Sequence, residues 1–368
     1  MNPARSNPKN DRAKRDYLIY LQDAQQRSPA TVEQVRYAID RFEAYTRFKD
    51  FGTFNKDQAR AFKEALLNSK AMRSRKPISI ATAHHTLRVI KEFMGWLHSQ
   101  PGYRRLINTT EIAYLNLTIK DERVARATAP KTCASLEQYR AALLAMPYGT
   151  DIERRDRALM ALLLLTGMRD AAIVGLKLKH ISIERRHVFQ DPREVKTKFA
   201  KTIETWFFPV GDDIADIVCD WVRFLMEDKL FGPFDPLFPK TLTRSDGCRG
   251  FAASGLSREH WANASPVRAV LKSAFFGVGL PYFKPHTVRD TLTQLAYRLK
   301  LSPEELKAWS QNLGHSNVLT TLGAYGHVSL ERQSEVLAAL PQFGQPLDDG
   351  ETIRQAAAKL ADMVKRHR

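Results

Sequence analysis

Along the first third of the chain apolar residues recur every three or four positions, the spacing that lines one face of a helix. Residues 1–12 combine Asn, Pro, Lys and Arg without any apolar period and read as a disordered N-terminus. From Asp16 the pattern turns helical, with Tyr17, Tyr20 and Leu21 on one face. The turn Ser28-Pro29-Ala30-Thr31 leads into a second helix that carries Val32, Val35, Ala38, Ile39 and Phe42. A third is expected from about Lys56 to Ser69. A fourth should run from about Ala81 to Leu97, with Leu87, Ile90, Phe93, Met94 and Leu97 on its apolar side. No strand period interrupts these four, so residues 13–120 are expected to form an all-helical domain.

Residues 121–131 (DERVARATAPK) are polar, charged and end in Ala-Pro-Lys, the composition of an interdomain linker. Beyond it Ser135-Leu136-Glu137 opens a helix, and Arg155 to Leu165 is apolar enough to be buried all round. Shorter β-like runs follow at Arg186–Gln190, Glu194–Lys198 and Thr202–Val210. The last two should pair as a hairpin through the tight turn Phe199-Ala200-Lys201. Helical periods resume over Ile214–Met226, Pro266–Phe276, His286–Leu299, Pro303–Asn312, Val318–Tyr325 and Leu330–Ala339. Ser302-Pro303-Glu304-Glu305 is a capping box with proline at the first helical position. The fold class is therefore mainly α with a small antiparallel β-sheet, residues 132–341 forming a mixed α+β domain. Residues 342–368 read as a short linker and an amphipathic helix with Ile353, Ala357, Leu360, Met363 and Val364 on its apolar side.

A chain of 368 residues is comfortable as two domains. Charge adds a partner class. The 57 Lys and Arg exceed the 40 Asp and Glu by 17, a field that favours a polyanion, most commonly nucleic acid. The excess is uneven, since residues 1–130 hold 24 basic against 13 acidic side chains, leaving 33 against 27 for the rest. Within the first part, Lys70, Arg73, Arg75 and Lys76 fall in one seven-residue loop, either solvated or in contact with phosphates. The longest apolar run, Ala158–Leu165, is far short of the roughly 20 residues of a membrane span, and the polar N-terminus lacks a secretion signal. Cys133, Cys219 and Cys248 are odd in number and widely spaced, which argues against a disulfide framework or a cysteine metal site. A cytoplasmic location is expected, with no membrane partner.

Neither GxxxxGK[ST], GxGxxG nor HExxH occurs, so ATP-driven and zincin chemistry lose their usual supports, and no cofactor or metal is expected. What remains is a dispersed set of cationic and hydroxyl groups at helix edges. Thr166-Gly167-Met168-Arg169 ends the apolar helix and lets Arg169 emerge from the core, poised either for two phosphate oxygens or for a pairing with Asp170. Pro285-His286-Thr287-Val288-Arg289 puts two cations at a helix N-terminus, where a shared anion would offset the like-signed dipole. Leu313-Gly314-His315 and, ten residues on, Tyr325 complete the set.

TGxR, a basic hairpin, HxxR, LGH and a following Tyr, in that order and with compatible gaps over about residues 130–345, resemble the tyrosine recombinase (phage integrase) family. The resemblance implies a SAM-like core-binding domain before a catalytic DNA breaking-and-rejoining domain. It implies Tyr325 as nucleophile, with Arg169, Arg289 and His315 on the phosphate oxygens and His286 as proton acceptor. A hairpin lysine would be the general acid; Thr197-Lys198 matches best, with Lys201 next and Lys196 also near the tip. Two positions depart from the family pattern: Asp290 follows the second Arg, where His is frequent, and Ala172 stands where an acid is frequent. The implied activity is site-specific recombination of double-stranded DNA through a 3′-phosphotyrosine, without ATP or metal. A homotetramer on synapsed sites, and DNA-bending or directionality proteins, are the partners such an enzyme uses. The setting would be a bacterial nucleoid, a phage or a mobile element. The rival readings are a type IB topoisomerase and a non-catalytic DNA-binding protein on the same scaffold.

Overall fold

Asn7 accepts the Lys9 N–H and Pro8 occupies the first helical position, where its missing donor costs nothing. The computed structural model describes residues 6–70, 76–126, 132–197, 200–245 and 251–315, with Ser334 and Ala338 as isolated positions. It starts helix α1 at Pro8–Ile19, inside the stretch expected to be disordered. What orders it is polar. Asn10 is fully buried, donates to Glu43 Oε1 and the Lys49 carbonyl at 2.9 Å each, and accepts the Phe51 N–H at 3.0 Å. An apolar period cannot register such an anchor.

The chain divides into two compact units, residues 1–129 and 130–368. In the first, α1 is followed by α2 (Pro29–Tyr45), α3 (Lys56–Leu67), α4 (Ile80–His98), the single turn α5 (Thr109–Ile112) and α6 (Ile119–Arg126). Ser28, Asn55 and Ser79 cap α2, α3 and α4 by accepting N–H groups of the first turn. Their apolar faces meet in a cluster of rings: Phe42 sits edge-on to Phe62 at 5.0 Å and Phe51 edge-on to Phe93 at 5.1 Å. Each such buried ring contributes about 2–3 kcal/mol of hydrophobic stabilisation. Helix α6 corrects the linker expectation: residues 121–126 are helical and pack on α4. The later linker residues, 127–131, lie outside the described residues.

The second unit opens with α7 (Leu136–Leu144) and α8 (Asp151–Thr166), each started by a reciprocal capping box, Ser135/Gln138 and Thr150/Glu153. Residues Ala158 to Thr166 are all buried, so α8 forms the centre around which the unit is built. After the short α9 (Asp170–Ile173) come β1 (Ile181–Ser182), β2 (His187–Gln190) and β3 (Ile203–Trp206), an antiparallel sheet in the order β1-β2-β3. Here the expected pairing is corrected. The partner of β3 is β2, with Gln190 opposite Ile203 and His187 opposite Trp206, and residues 194–197 are not a strand. The reason is local: Asp191 accepts the Arg193 N–H through its carboxylate, and its carbonyl takes the N–H groups of Glu194 and Val195, closing a turn around Pro192. Strand β3 also stops before the expected Val210, because Phe208 donates its N–H to the Leu165 carbonyl at the end of α8.

Helix α10 (Asp212–Arg223) packs along α8. A second hairpin, β4 (Thr241–Ser245) with β5 (Phe251–Leu256), had no clear sequence signal. Arg155, 4% exposed, holds it by donating to the Pro239 carbonyl and Thr241 Oγ1 while lying over the Trp261 ring at 4.8 Å. Then come α11 (Ser265–Gly277), α12 (Val288–Arg298) and α13 (Pro303–Asn312). The helices expected over 318–325, 330–339 and after 342 lie outside the described residues. No helix among the described residues is long and apolar enough to cross a membrane.

Candidate functional site

Gly167 ends α8 in the left-handed conformation (φ 58°), and its N–H bonds to the Leu163 carbonyl. A Cβ there would sit 2.8 Å from both Leu292 of α12 and Leu313 after α13, so only glycine lets the three segments close together. The turn sends the chain outward: Met168 is buried and Arg169, in extended backbone, is half-buried at the mouth. Asp170 does not pair with Arg169, because its carboxylate takes Arg268 Nε at 3.0 Å and the Ala171 N–H at 2.9 Å. Burial draws the Arg169 guanidinium below its ordinary value.

Arg289 lies within. It is 5% exposed, donates through one terminal nitrogen to the Gly167 carbonyl at 2.8 Å and through the other to the Leu313 carbonyl. One side chain thus ties the TGxR turn, the HxxR helix and the LGH turn into a single junction. Burial first, and then the like charge of Arg169, lower the Arg289 pKa, with Asp290 opposing. At neutral pH both guanidinium groups remain cationic. A half-buried and a buried guanidinium that repel each other, with Asp290 opposing, make an arrangement that can take up an anion.

The HxxR pair differs from its expectation in one respect. Pro285–Thr287 is a separate 3₁₀ turn, and α12 begins at Val288. His286 is therefore exposed while Arg289 points into the core. On the other side, the end of α13 docks on β3: Asn312 accepts the Trp206 N–H at 2.8 Å and donates to the Trp206 carbonyl at 2.9 Å, as a neighbouring strand would. Gly314 then lies against Ile203, and His315, partly buried, donates its backbone N–H to the Ser310 carbonyl. So Arg169, Arg289 and the LGH turn converge, with β3 beside them.

Lys201 is exposed just ahead of β3, and Lys196 is exposed on the preceding loop. Lys198 and Tyr325 lie outside the described residues. Ala172 is fully buried between α9 and the core, and Asp290 keeps one buried carboxylate oxygen without a partner among the described residues. In the first unit Lys70 and Lys76 are exposed at the two ends of the basic loop, whose base is closed by a bridge between Lys70 and Pro77; Arg73 and Arg75 lie outside the described residues. The sequence reading passed over Lys177, Lys179, His180 and Glu194, which gather beside the sheet and carried no motif that could have flagged them.

Residues 135–332, more than half of the chain, match the model of the phage integrase family. The tyrosine recombinase XerC of Actinobacillus succinogenes is 26% identical over 188 residues, which cover 50% of this chain and 53% of that protein. XerC of Escherichia coli O157:H7 is 24% identical over 335 residues, 88% of this chain and 94% of its own length. The chain thus spans about half the length of the first of these relatives and nearly all of the second. Among solved structures, a lambda integrase dimer bound to a COC′ core site superposes with a TM-score of 0.58 at 14% identity, covering 87% of this chain and 78% of that one. At that identity the likeness is one of fold.

Proposed function

Because the chain belongs to the phage integrase family, we propose that it is a site-specific DNA recombinase that cuts and rejoins duplex DNA through Tyr325. The observation that carries this reading is the Arg169/Arg289 pair, two cations that form no ion pair among the described residues, held at a junction that only the fold assembles. In the proposed reaction the Tyr325 oxygen forms a bond to the scissile phosphorus and the bond to the 5′ oxygen breaks. A phenol is a poor nucleophile until its proton leaves, so His286, exposed at the turn before α12, takes it. Arg169, Arg289 and His315 hold the non-bridging oxygens, where negative charge grows in the transition state. Lys198 gives its proton to the departing 5′ hydroxyl. The 3′-phosphotyrosine keeps the energy of the broken ester, so a second 5′ hydroxyl can reverse the step without ATP, metal or cofactor.

In the same reading residues 13–120 form the core-binding domain and 132–341 the catalytic domain, with 342–368 as a C-terminal segment. Lys70, Arg73, Arg75, Lys76 and Lys201 contact phosphates. A homotetramer assembles on paired double-stranded sites, with DNA-bending or directionality proteins where the site requires them, in the cytoplasm. The test is covalent trapping. The protein is incubated in EDTA with DNA flanking its own gene, quenched in SDS and compared with Tyr325→Phe. The expected result is a protein–DNA adduct lost in the variant, with DNA affinity retained, and with ends that map to one site. Scattered ends would instead make it a topoisomerase-like nicking enzyme, and salt-sensitive binding without any adduct a non-catalytic binder.

A further inference from the structure

The loop between β2 and β3 carries Lys196, Lys198 and Lys201, and it leaves the sheet through a fastening that the proposed reaction does not itself use. Glu194 lies at its centre. Its carboxylate takes Lys179 Nζ at 2.7 Å, His180 Nε2 at 3.0 Å and Lys177 Nζ at 3.3 Å. His180 is 4% exposed, and its Nδ1 accepts the Lys177 N–H at 3.0 Å. In the neutral ring that bond fixes the tautomer: Nδ1 accepts, and Nε2 carries the hydrogen and points it at Glu194. Lys179 first, then Lys177, hold the Glu194 pKa down to about 2 against the cost of burial, so the carboxylate is charged throughout the physiological range.

The backbone braces the same point from within the loop. The Glu194 N–H and the Val195 N–H both reach the Asp191 carbonyl, at 3.0 and 2.7 Å, and the Val195 side chain is 1% exposed in the core. Gly175 lies directly beneath. A Cβ at that position would stand 3.4 Å from the Glu194 carbonyl oxygen, in ordinary van der Waals contact, so the two backbones lie side by side. The segment from 175 to 180 continues directly from α9, whose N-cap residue is Arg169. One continuous stretch thus holds the arginine at one end and grips the lysine-bearing loop at the other. Asp191 and Arg193 pair with each other, which leaves Glu194 as the carboxylate that joins the loop to that stretch.

We propose that Glu194 is a positioning residue: clamped by Lys177, Lys179 and His180, it sets where the β2–β3 loop presents its lysine relative to Arg169. The proposal rests on the recombinase reading, in which that lysine protonates the leaving 5′ hydroxyl. Glu194 itself touches neither DNA nor the reacting atoms. A purely structural glutamate would slow every substrate alike, whereas a residue acting through the general acid affects only leaving groups that need a proton.

The experiment compares wild type, Glu194→Ala and Glu194→Gln on two duplexes carrying the mapped cleavage site, one ordinary and one with sulfur in place of the bridging 5′ oxygen. A thiol ionises far more readily than an alcohol, so the sulfur duplex needs no acid. Glu194→Ala is expected to lose about 10- to 100-fold in cleavage rate on the oxygen duplex, a part of what a general acid supplies. It should return to within about threefold of wild type on the sulfur duplex, with DNA affinity unchanged. Glu194→Gln keeps an acceptor for His180 and should fall between. An equal loss on both duplexes, or no loss on either, overturns the proposal. Amide hydrogen exchange on the DNA-free protein decides the fastening independently of activity. Glu194→Ala should speed exchange over residues 194–202 by about tenfold or more and leave α8 unchanged. Unchanged exchange in the loop overturns the proposal, while faster exchange in a protein whose wild type forms no adduct overturns the recombinase reading alone.

Discussion

Two buried polar knots hold this molecule together, one in each unit, and they are balanced in opposite ways. In the first unit Asn10 joins α1 to α2 and to the turn at Lys49–Phe51, and the neighbouring cation is fully paired: Lys14 reaches Glu43, Asp40 and Asp11. Burial alone would pull the Lys14 ammonium down, yet its three carboxylates raise it above its ordinary value. In the second unit Arg289 joins α8, α12 and the turn after α13, but its hydrogen-bond partners are neutral carbonyls, and among the described residues its charged neighbours are Arg169 and, opposing it, Asp290. The first knot is complete in itself. The second holds its geometry with hydrogen bonds to neutral groups, and in the proposed reaction its charge meets phosphate oxygens, which is how a site would differ from a scaffold built with the same kinds of bond.

The largest expected effect falls on the shared bolt. Arg289→Ala leaves the Gly167 and Leu313 carbonyls unpaired and opens a cavity between three segments, a loss of about 2–4 kcal/mol read as a fall in unfolding midpoint, together with loss of adduct formation. Asn10→Ala should cost nearly as much, about 2–3 kcal/mol, because three buried partners lose their bonds; denaturant unfolding of the first unit reads it, and the chemistry of the trapped complex should survive. Gly167→Ala forces a side chain against Leu292 and Leu313 at a positive φ, so about 1–3 kcal/mol is expected, with cleavage falling as Arg169 is displaced. Arg169→Ala should be the mildest for stability, within about 1 kcal/mol of wild type, since no carboxylate among the described residues loses a partner. Its adduct formation and phosphate affinity should nevertheless collapse. A large destabilisation in Arg169→Ala would break the contrast, making that arginine part of the scaffold; a folded, cleaving Arg289→Ala would break it from the other side.

Much of this architecture was legible along the chain. Capping residues at Ser135 and Ser302 and the apolar runs of α4 and α8 mark their own helices, because the signals are local and the period is regular. The order of TGxR, HxxR and LGH identified the family that the comparison confirms. The failures share a cause. Asn10 orders α1 through partners more than 30 residues away, and β3 takes β2 rather than the nearer run at 194–198 because Asp191 closes a turn that a β pattern does not reveal.

The sequence by itself therefore determined most of the longer helices, the two-unit division in outline, the excess of positive charge and the identity of the cations at helix edges. The tertiary structure decided where those cations sit and what they meet. Arg169 and Arg289 are 120 residues apart, and no pattern of spacing says that one faces outward while the other is locked on two carbonyls. Nor does it say that Glu194 grips the stretch leading back to Arg169. Periodicity encodes which face of an element is buried. The burial of a charge, and the partner it meets there, depends on segments that become neighbours only when the chain has closed around α8.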